Sequence, residues 1–344
     1  MIYDCFSFFN ELDILELRLN VLKDVVDRFV LVEAVRKHSG EAKPLYFEAN
    51  KARFAEFADR IIHIIVDDEP ETPPECPKLI ASWAFENHQR NAIVRGLKDA
   101  KPEDTIMISD LDEIPDPEKV KEYAGREGVG MFDLLATCFY FNLVSMNYPR
   151  WTRGTKILTW KTFNDERIYN TKDFGICMPE FANRGPTATR IRFLKPDYVI
   201  KNAGWHFSYY GGAEKVWEKM RAIADNSATQ DGKIDLATVK ARLAAGRDPY
   251  GRSARFYAVP FDERFPKWLR DHRERFAAAI LPCESVSLAT RIVCVFVRLR
   301  TIAVDFAAGH IPKGLKPLAY AIYSRVVANP VPLSKNQLLV KTGE

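Results

Sequence analysis

Asp110, Asp112 and Glu113 crowd three carboxylates into four residues, directly after the apolar run Ile106-Met107-Ile108 and just before Pro115 and Pro117. In an extended segment, Asp110 and Asp112 face the same side. Carboxylates that close repel unless a cation stands between them, and the stretch itself contains no Lys or Arg. One solution is a divalent ion: hard carboxylate oxygens suit Mn2+ or Mg2+, and an ion so held binds phosphate. The other is a solvated strand-to-helix turn, with Asp116 capping a helix that begins near Pro117. The residues alone leave both open.

Two further stretches carry candidates. Trp83–Leu97 presents Glu86, Arg90 and Asn91 just upstream of the acidic cluster. Arg90 there reaches the carboxylates or a diphosphate bridging them, or makes a surface pair with Glu86 one helical turn away. His206, in "NAGWHFSYYGG", stands where a strand gives way to a Gly-rich loop. It either completes the coordination of an ion or is a hydrogen-bonded core histidine.

These residues need a frame to hold them. Ile2–Phe8, Arg28–Ala34, Ile61–Val66 and Thr105–Ile108 read as strands. Ile14–Val25 has leucines at helical spacing, Asn50–Ala58 looks helical, and Ile80–Ala100 reads as one long amphipathic helix. Strands alternating with helices predict an α/β fold with a mostly parallel central sheet and helices on both faces. Such folds put their chemistry at the carboxyl ends of the strands. Beyond Pro117 the pattern changes: Met131–Val144 is long and β-prone, Trp151–Phe207 mixes short strands with turns, and Gly211–Phe276 is charged and helical. The expected organisation is a domain over 1–280 in two halves (1–125 and 126–280), followed by a basic, apolar helical extension over 281–344.

Bulk properties exclude several classes. With 47% hydrophobic and 28% charged residues, the chain is of ordinary globular composition. A net charge of +4 over 344 residues argues against a nucleic-acid binder. No basic stretch followed by an apolar one opens the chain, so no signal peptide is expected. The six cysteines form no CxxC pair and read as buried thiols of a reducing compartment.

Several stretches together resemble glycosyltransferase family 17: "MIYDCFSFFNELDILELRLN", "VDRFVLVEAVRKHSGEAKPLYF", "ENHQRNAI", "ISDLDEIPDP" and "AGWHFSYYGG". The resemblance implies a GT-A-like fold, a UDP-sugar donor, most simply UDP-GlcNAc, and an inverting mechanism. It sets Asp110 and Asp112 where the metal-binding D-x-D lies, and His206 at a C-terminal histidine that joins them, holding Mn2+ or Mg2+. The chain starts directly at the catalytic part, so a cytoplasmic, bacterial-type member is expected. Its acceptor is a glycan or glycolipid hydroxyl.

An inverting displacement needs a carboxylate base and positive charge on the departing nucleotide. Asp4 and Glu33, at the ends of the first two strands, are candidates for uridine or ribose contacts, and Lys43 for phosphate. Arg90, Asn91 and Asp110 join them in the donor site. The base is expected between the acidic cluster and His206, where Asp165, Glu166, Asp173 and Glu180 stand; Glu180 is the choice, since it follows a short apolar stretch expected to bury it in part and so to favour a raised pKa. Two other readings compete. A non-catalytic nucleotide-sugar or glycan binding module needs the ion but no base. A phosphatase built on D-x-D continues with a small residue and Thr, whereas Glu113-Ile114-Pro115 follows here. Over 288–330 an apolar segment interrupted by arginines reads as peripheral contact with an anionic membrane, or as a helix packed on the domain.

Overall fold

The computed structural model describes residues 1–70, 78–166, 187–222, 234–244, 247–251 and 254–310. Strands β1 (Ile2–Phe8), β2 (Arg28–Ala34), β3 (Ile61–Val66) and β4 (Thr105–Asp110) pair in parallel in the order β3-β2-β1-β4. They are near-continuous apolar runs because both faces of the sheet are covered. Alternate residues divide between two cores: Phe6, Phe8, Leu31 and Met107 pack with helix α1 (Leu12–Leu22), while Cys5, Val30, Val32, Ile106 and Ile108 pack on the other face with Ile93 and Leu97.

The chain runs outward through β1, β2 and β3, then returns to β4 on the far side of β1. The point where the winding reverses therefore lies between the carboxyl ends of β1 and β4, where Ser7 is in register with Asp110. In open α/β sheets this crevice is where ligands bind. Helix α2 (Lys78–Asn91) meets it with its last turn, where Gln89 donates to the Phe8 carbonyl and Arg90 to Asp110. The expected helix over Ile80–Ala100 is shorter: after Asn91 it tightens into a 3-10 turn, Ala92–Gly96. There Gly96 lies so close to β2 that a Cβ would sit 2.5 Å from Val30 Cγ1. The helix expected over Asn50–Ala58 is likewise a 3-10 turn, Lys51–Phe57.

After β4, two residues lead into β5 (Glu113–Pro115), which belongs to a second sheet. Helix α3 (Pro117–Tyr123) follows; Asp116 caps it by accepting from the Glu118 and Lys119 amides, with Pro117 at the first helical position. The β-prone run Met131–Val144 is three strands, not one: β6 (Gly130–Phe132), β7 (Leu134–Cys138) and β8 (Leu143–Ser145). β6 lies in the first sheet and β7 and β8 in the second, and Phe139 breaks the run with a left-handed φ of 68°. A short strand β9 (Arg150–Trp151) pairs with β7, and β10 (Lys156–Thr159) returns antiparallel to β4.

Helix α4 (Ala188–Phe193), β12 (Gly204–Ser208) and helix α5 (Gly212–Ala222) bring Arg192, His206 and Lys219 to the crevice, while β11 (Tyr198–Ile200) closes the edge of the first sheet. The first sheet has seven strands in the order β11-β6-β10-β4-β1-β2-β3, and four of its six pairings are parallel, as expected. In the second sheet, β13 (Phe256–Ala258) falls within a stretch expected to be helical. Both sheets draw strands from 1–125 and from 126–280, so these halves are interleaved.

Helix α6 (Leu288–His310) lies against the body through buried Cys294 and Thr301, whose Oγ1 accepts from Asn147 Nδ2 at 3.3 Å. Among the described residues no helix is long and apolar enough to cross a membrane. The expectation of buried thiols holds for Cys5 and Cys294, whereas Cys138 and Cys283 are half-buried; all four are free. Cys76 and Cys177 lie outside the described residues.

Candidate active site at the switch point

The acidic turn is fixed from below by one arginine. Arg18, on α1, is fully buried, and its Nη1 donates to the carbonyls of Asp110, Leu111 and Glu113 at 3.0, 3.0 and 2.8 Å. Its Nε and Nη2 reach both oxygens of Asp4 at 2.7 and 2.6 Å. Asp4 therefore differs from expectation: it sits inside β1, not at its end, and is fully enclosed with both oxygens occupied. It supports the turn and faces no ligand.

β4 ends at Asp110, and Leu111 buries its side chain, so the two aspartates do not share a side as an extended strand would require. Asp110 turns to guanidinium groups: Arg90 Nη2 lies 3.0 Å from Oδ1 and Arg192 Nη2 lies 2.8 Å from Oδ2. Arg192 also donates to buried Glu113, through Nη1 at 2.7 Å, and the Trp151 indole N–H donates to the same carboxylate at 2.5 Å. Asp112 turns the other way. Lys219 Nζ on α5 lies 2.8 Å from its Oδ2, and His206 Nε2 on β12 lies 3.5 Å from Oδ1. Lys219 also reaches Glu11 at 3.1 Å, and the His206 ring packs on Trp151 with centroids 4.6 Å apart.

Burial alone would raise both aspartate pKa values, but the neighbouring cations win. Arg192 and Arg90 hold Asp110 well below the usual carboxylate range, and Lys219 with His206 does the same for Asp112. The same pairs push Arg192, Arg90 and Lys219 upward against their own desolvation. The crowding of negative charge is thus relieved by side-chain cations brought from distant elements.

Other expected residues fall elsewhere. Glu33 is buried near the end of β2, accepting from the Phe47 amide at 3.2 Å and facing Lys43 Nζ at 3.5 Å and His63 Nε2 at 3.2 Å. Lys43 is thereby committed to Glu33 and to the rings of Phe9 and Tyr46, not held out for a phosphate. Asn91 accepts from the Thr189 amide at 3.0 Å, docking the start of α4 on α2 and so aiming Arg192. Asp165 follows β10, whose Thr159 pairs with Thr105 at the opposite end of β4. At roughly 3.3 Å per residue, that is about 17 Å from Asp110. An antiparallel strand carries the chain away from the site, so Asp165 is no candidate base. Glu180 and Asp173 lie outside the described residues.

Arg18, Arg192, Lys219 and Trp151 are the site residues that sequence reasoning did not single out. Only Arg18 gave a signal, because it lies on the helical face of Ile14, Leu15 and Leu22 and must be buried with them.

The donor set decides what the site can hold. Among the described residues no three His, Cys, Asp or Glu side chains converge as a ready cage, and Asp110 has both oxygens on arginines. The expected trio of Asp110, Asp112 and His206 is therefore not assembled. Asp112 and His206 do converge, and one or two protein ligands completed by phosphate oxygens is the usual arrangement for Mg2+ and its like. Those two residues fit a divalent ion that shares Asp112 with Lys219. On the Asp110 side of the turn, buried polar atoms lack partners: Arg90 Nε and Nη1 and Ser7 Oγ, with the Asn87 amide one helical turn before Arg90. Unmet buried groups of this kind are costly unless a ligand satisfies them.

Residues 1–148 match the profile of glycosyltransferase family 17, and over these residues the chain is family 17-like. The β-1,4-mannosyl-glycoprotein 4-β-N-acetylglucosaminyltransferases of Homo sapiens and Rattus norvegicus are each 29% identical over 112 residues, 31% of this chain and 20% of theirs. The chain thus matches about a fifth of the length of these curated relatives. A Pyrobaculum calidifontis mannosyltransferase, solved in complex with GDP-Man and Mn2+, aligns over 95% of this chain and 79% of its own with a TM-score of 0.33 and 13% identity.

Proposed function

We propose that the protein is a glycosyltransferase that moves a sugar from a nucleotide donor to an acceptor hydroxyl in the crevice between β1 and β4. The observation that carries this reading is the convergence there of Arg90, Arg192, Lys219 and His206 on an acidic turn, with buried donors on Arg90 and Asn87 left unmet. Donors arranged this way suit the oxygens of a diphosphate. The match over residues 1–148 to a glycosyltransferase family supports the same class of chemistry.

Transfer is taken as a single inverting displacement from a UDP-sugar, with UDP-GlcNAc first among donors because the N-acetylglucosaminyltransferases are the curated relatives. In this mechanism Arg90 binds the diphosphate and Arg192 holds Asp110 fixed, so that charge growing on the leaving group meets donors that need not reorganise. Lys219, shared with Glu11, neutralises Asp112 and holds its carboxylate in place. A Mn2+ or Mg2+ ion would be held by Asp112 and His206 and would supply further charge neutralisation to the leaving diphosphate. Proton removal from the acceptor hydroxyl, on a glycan or glycolipid, is assigned to Glu180 on its sequence context.

Nucleotide-sugars screened for thermal stabilisation with and without Mn2+, followed by assay of UDP release, test the reading. UDP-GlcNAc with Mn2+ is expected to stabilise the protein. Asp112→Asn should lower turnover by about a hundredfold, the scale for losing one electrostatic group of a preorganised site. Glu180→Gln should bind the donor normally yet turn over orders of magnitude more slowly. Binding without turnover in the wild type, across a range of acceptors, would leave a nucleotide-sugar binding module instead.

A further inference from the structure

Six large apolar side chains on one helix face solvent. On α6, Leu288, Ile292, Val295, Phe296, Leu299 and Ile302 are 48–73% exposed, and few other large apolar residues among those described are as open. At about 3.6 residues per turn these six form one stripe, opposite the Cys294 and Thr301 side that packs on the body. Arg291 borders the stripe on one flank and Arg300 on the other, both exposed, with half-buried Arg298 beside Arg291. A stripe of this size needs an occupant.

The charge around it says which. Residues 288–344 carry eight Lys and Arg against two Asp and Glu, whereas the whole chain carries 50 against 46. The last 57 residues are therefore net +6 and the first 287 net −2. Between Leu288 and Ala303 there is no acidic residue. Two copies meeting along this stripe would bring together two chain ends of net +6, like charge against like. An anionic lipid surface accepts both features: the apolar side chains enter the acyl boundary while flanking arginines rise to the phosphates.

We infer that α6 is a membrane-surface anchor that lies in the plane of a bilayer rich in anionic phospholipid. The inference stands apart from the catalytic reading, since none of these residues belongs to the crevice.

Flotation of the full chain with vesicles tests it, comparing phosphatidylcholine alone with an equal mixture of phosphatidylcholine and phosphatidylglycerol. The wild type is expected to float with the anionic vesicles and to be released by high salt. Phe296→Asp with Leu299→Asp changes only solvent-facing side chains and should abolish flotation. Arg291→Glu with Arg300→Glu, a pair that keeps the apolar stripe intact, should weaken binding at least tenfold, since each basic residue near such a surface contributes about 1 kcal/mol. The inference fails if the wild type does not float, or if the aspartate variant floats equally well, as it would were the stripe covered by the chain's own last residues. It fails too if sedimentation shows a wild-type dimer that the aspartate variant splits, because the stripe would then join two copies.

Discussion

Lys156 is a lysine whose charge is costly where the fold buries it. It is buried in β10, and desolvation first, then the positive charge of Arg192, lowers its pKa to about 8, with Glu113 only partly opposing. Unfolded, a lysine titrates near 10.5, so between the two values the unfolded chain binds more protons and stability rises with pH. Below pH 8 the native state bears the whole cost. Lys156→Met should therefore raise stability at pH 7 by on the order of 3 kcal/mol, a gain that fades as pH climbs toward 10.5. Urea unfolding of both proteins at pH 7 and pH 10 checks this, and an equal difference at the two values would contradict it. Residues of this kind were invisible in the sequence. Arg192 reaches Asp110 across 82 residues and Lys219 reaches Asp112 across 107. The acidic turn was legible as a place needing positive charge, but local spacing cannot report partners brought by the fold. The pull toward a metal trio came from reading 110–112 as regular strand, whereas the strand stops at Asp110.

At the scale of elements, α1 does more than cover the sheet. Through Arg18 it holds three carbonyls of the acidic turn and neutralises Asp4. Arg18→Met leaves Asp4 charged in a dry core and should cost about 3–5 kcal/mol of stability, the scale for breaking a buried ion pair from one side. Thermal or urea unfolding measures it; a loss below about 1 kcal/mol would mean the turn keeps its shape without the clamp. Strand ends in the parallel half were readable to the residue for Ile2–Phe8, Arg28–Ala34 and Ile61–Val66, because apolar runs buried on both faces stop where polar groups resume. The run Met131–Val144 could not be divided the same way. Its strands serve two sheets, and Asp133, the one charge in the run, marks a break without telling which sheet each side joins.

Taken whole, the molecule is asymmetric in charge: a slightly acidic body around the crevice and a basic end that carries the apolar stripe. That asymmetry could be counted in the sequence, but the face on which the stripe lies needed the packing of Cys294 and Thr301 to define it. The two sheets are stitched by short hops of chain, at Leu111-Asp112, at Asp133 and at residues 201–203. The first of these is the acidic turn itself, with its arginine partners beside one sheet and its His206 partner within the other. Any molecule seated across the turn is thereby a rivet driven through both layers. With UDP and Mn2+ bound, amide exchange should slow in β7 and β12 together with β1 and β4; slowing confined to the parallel strands would mean that the layers breathe independently of whatever fills the gap between them.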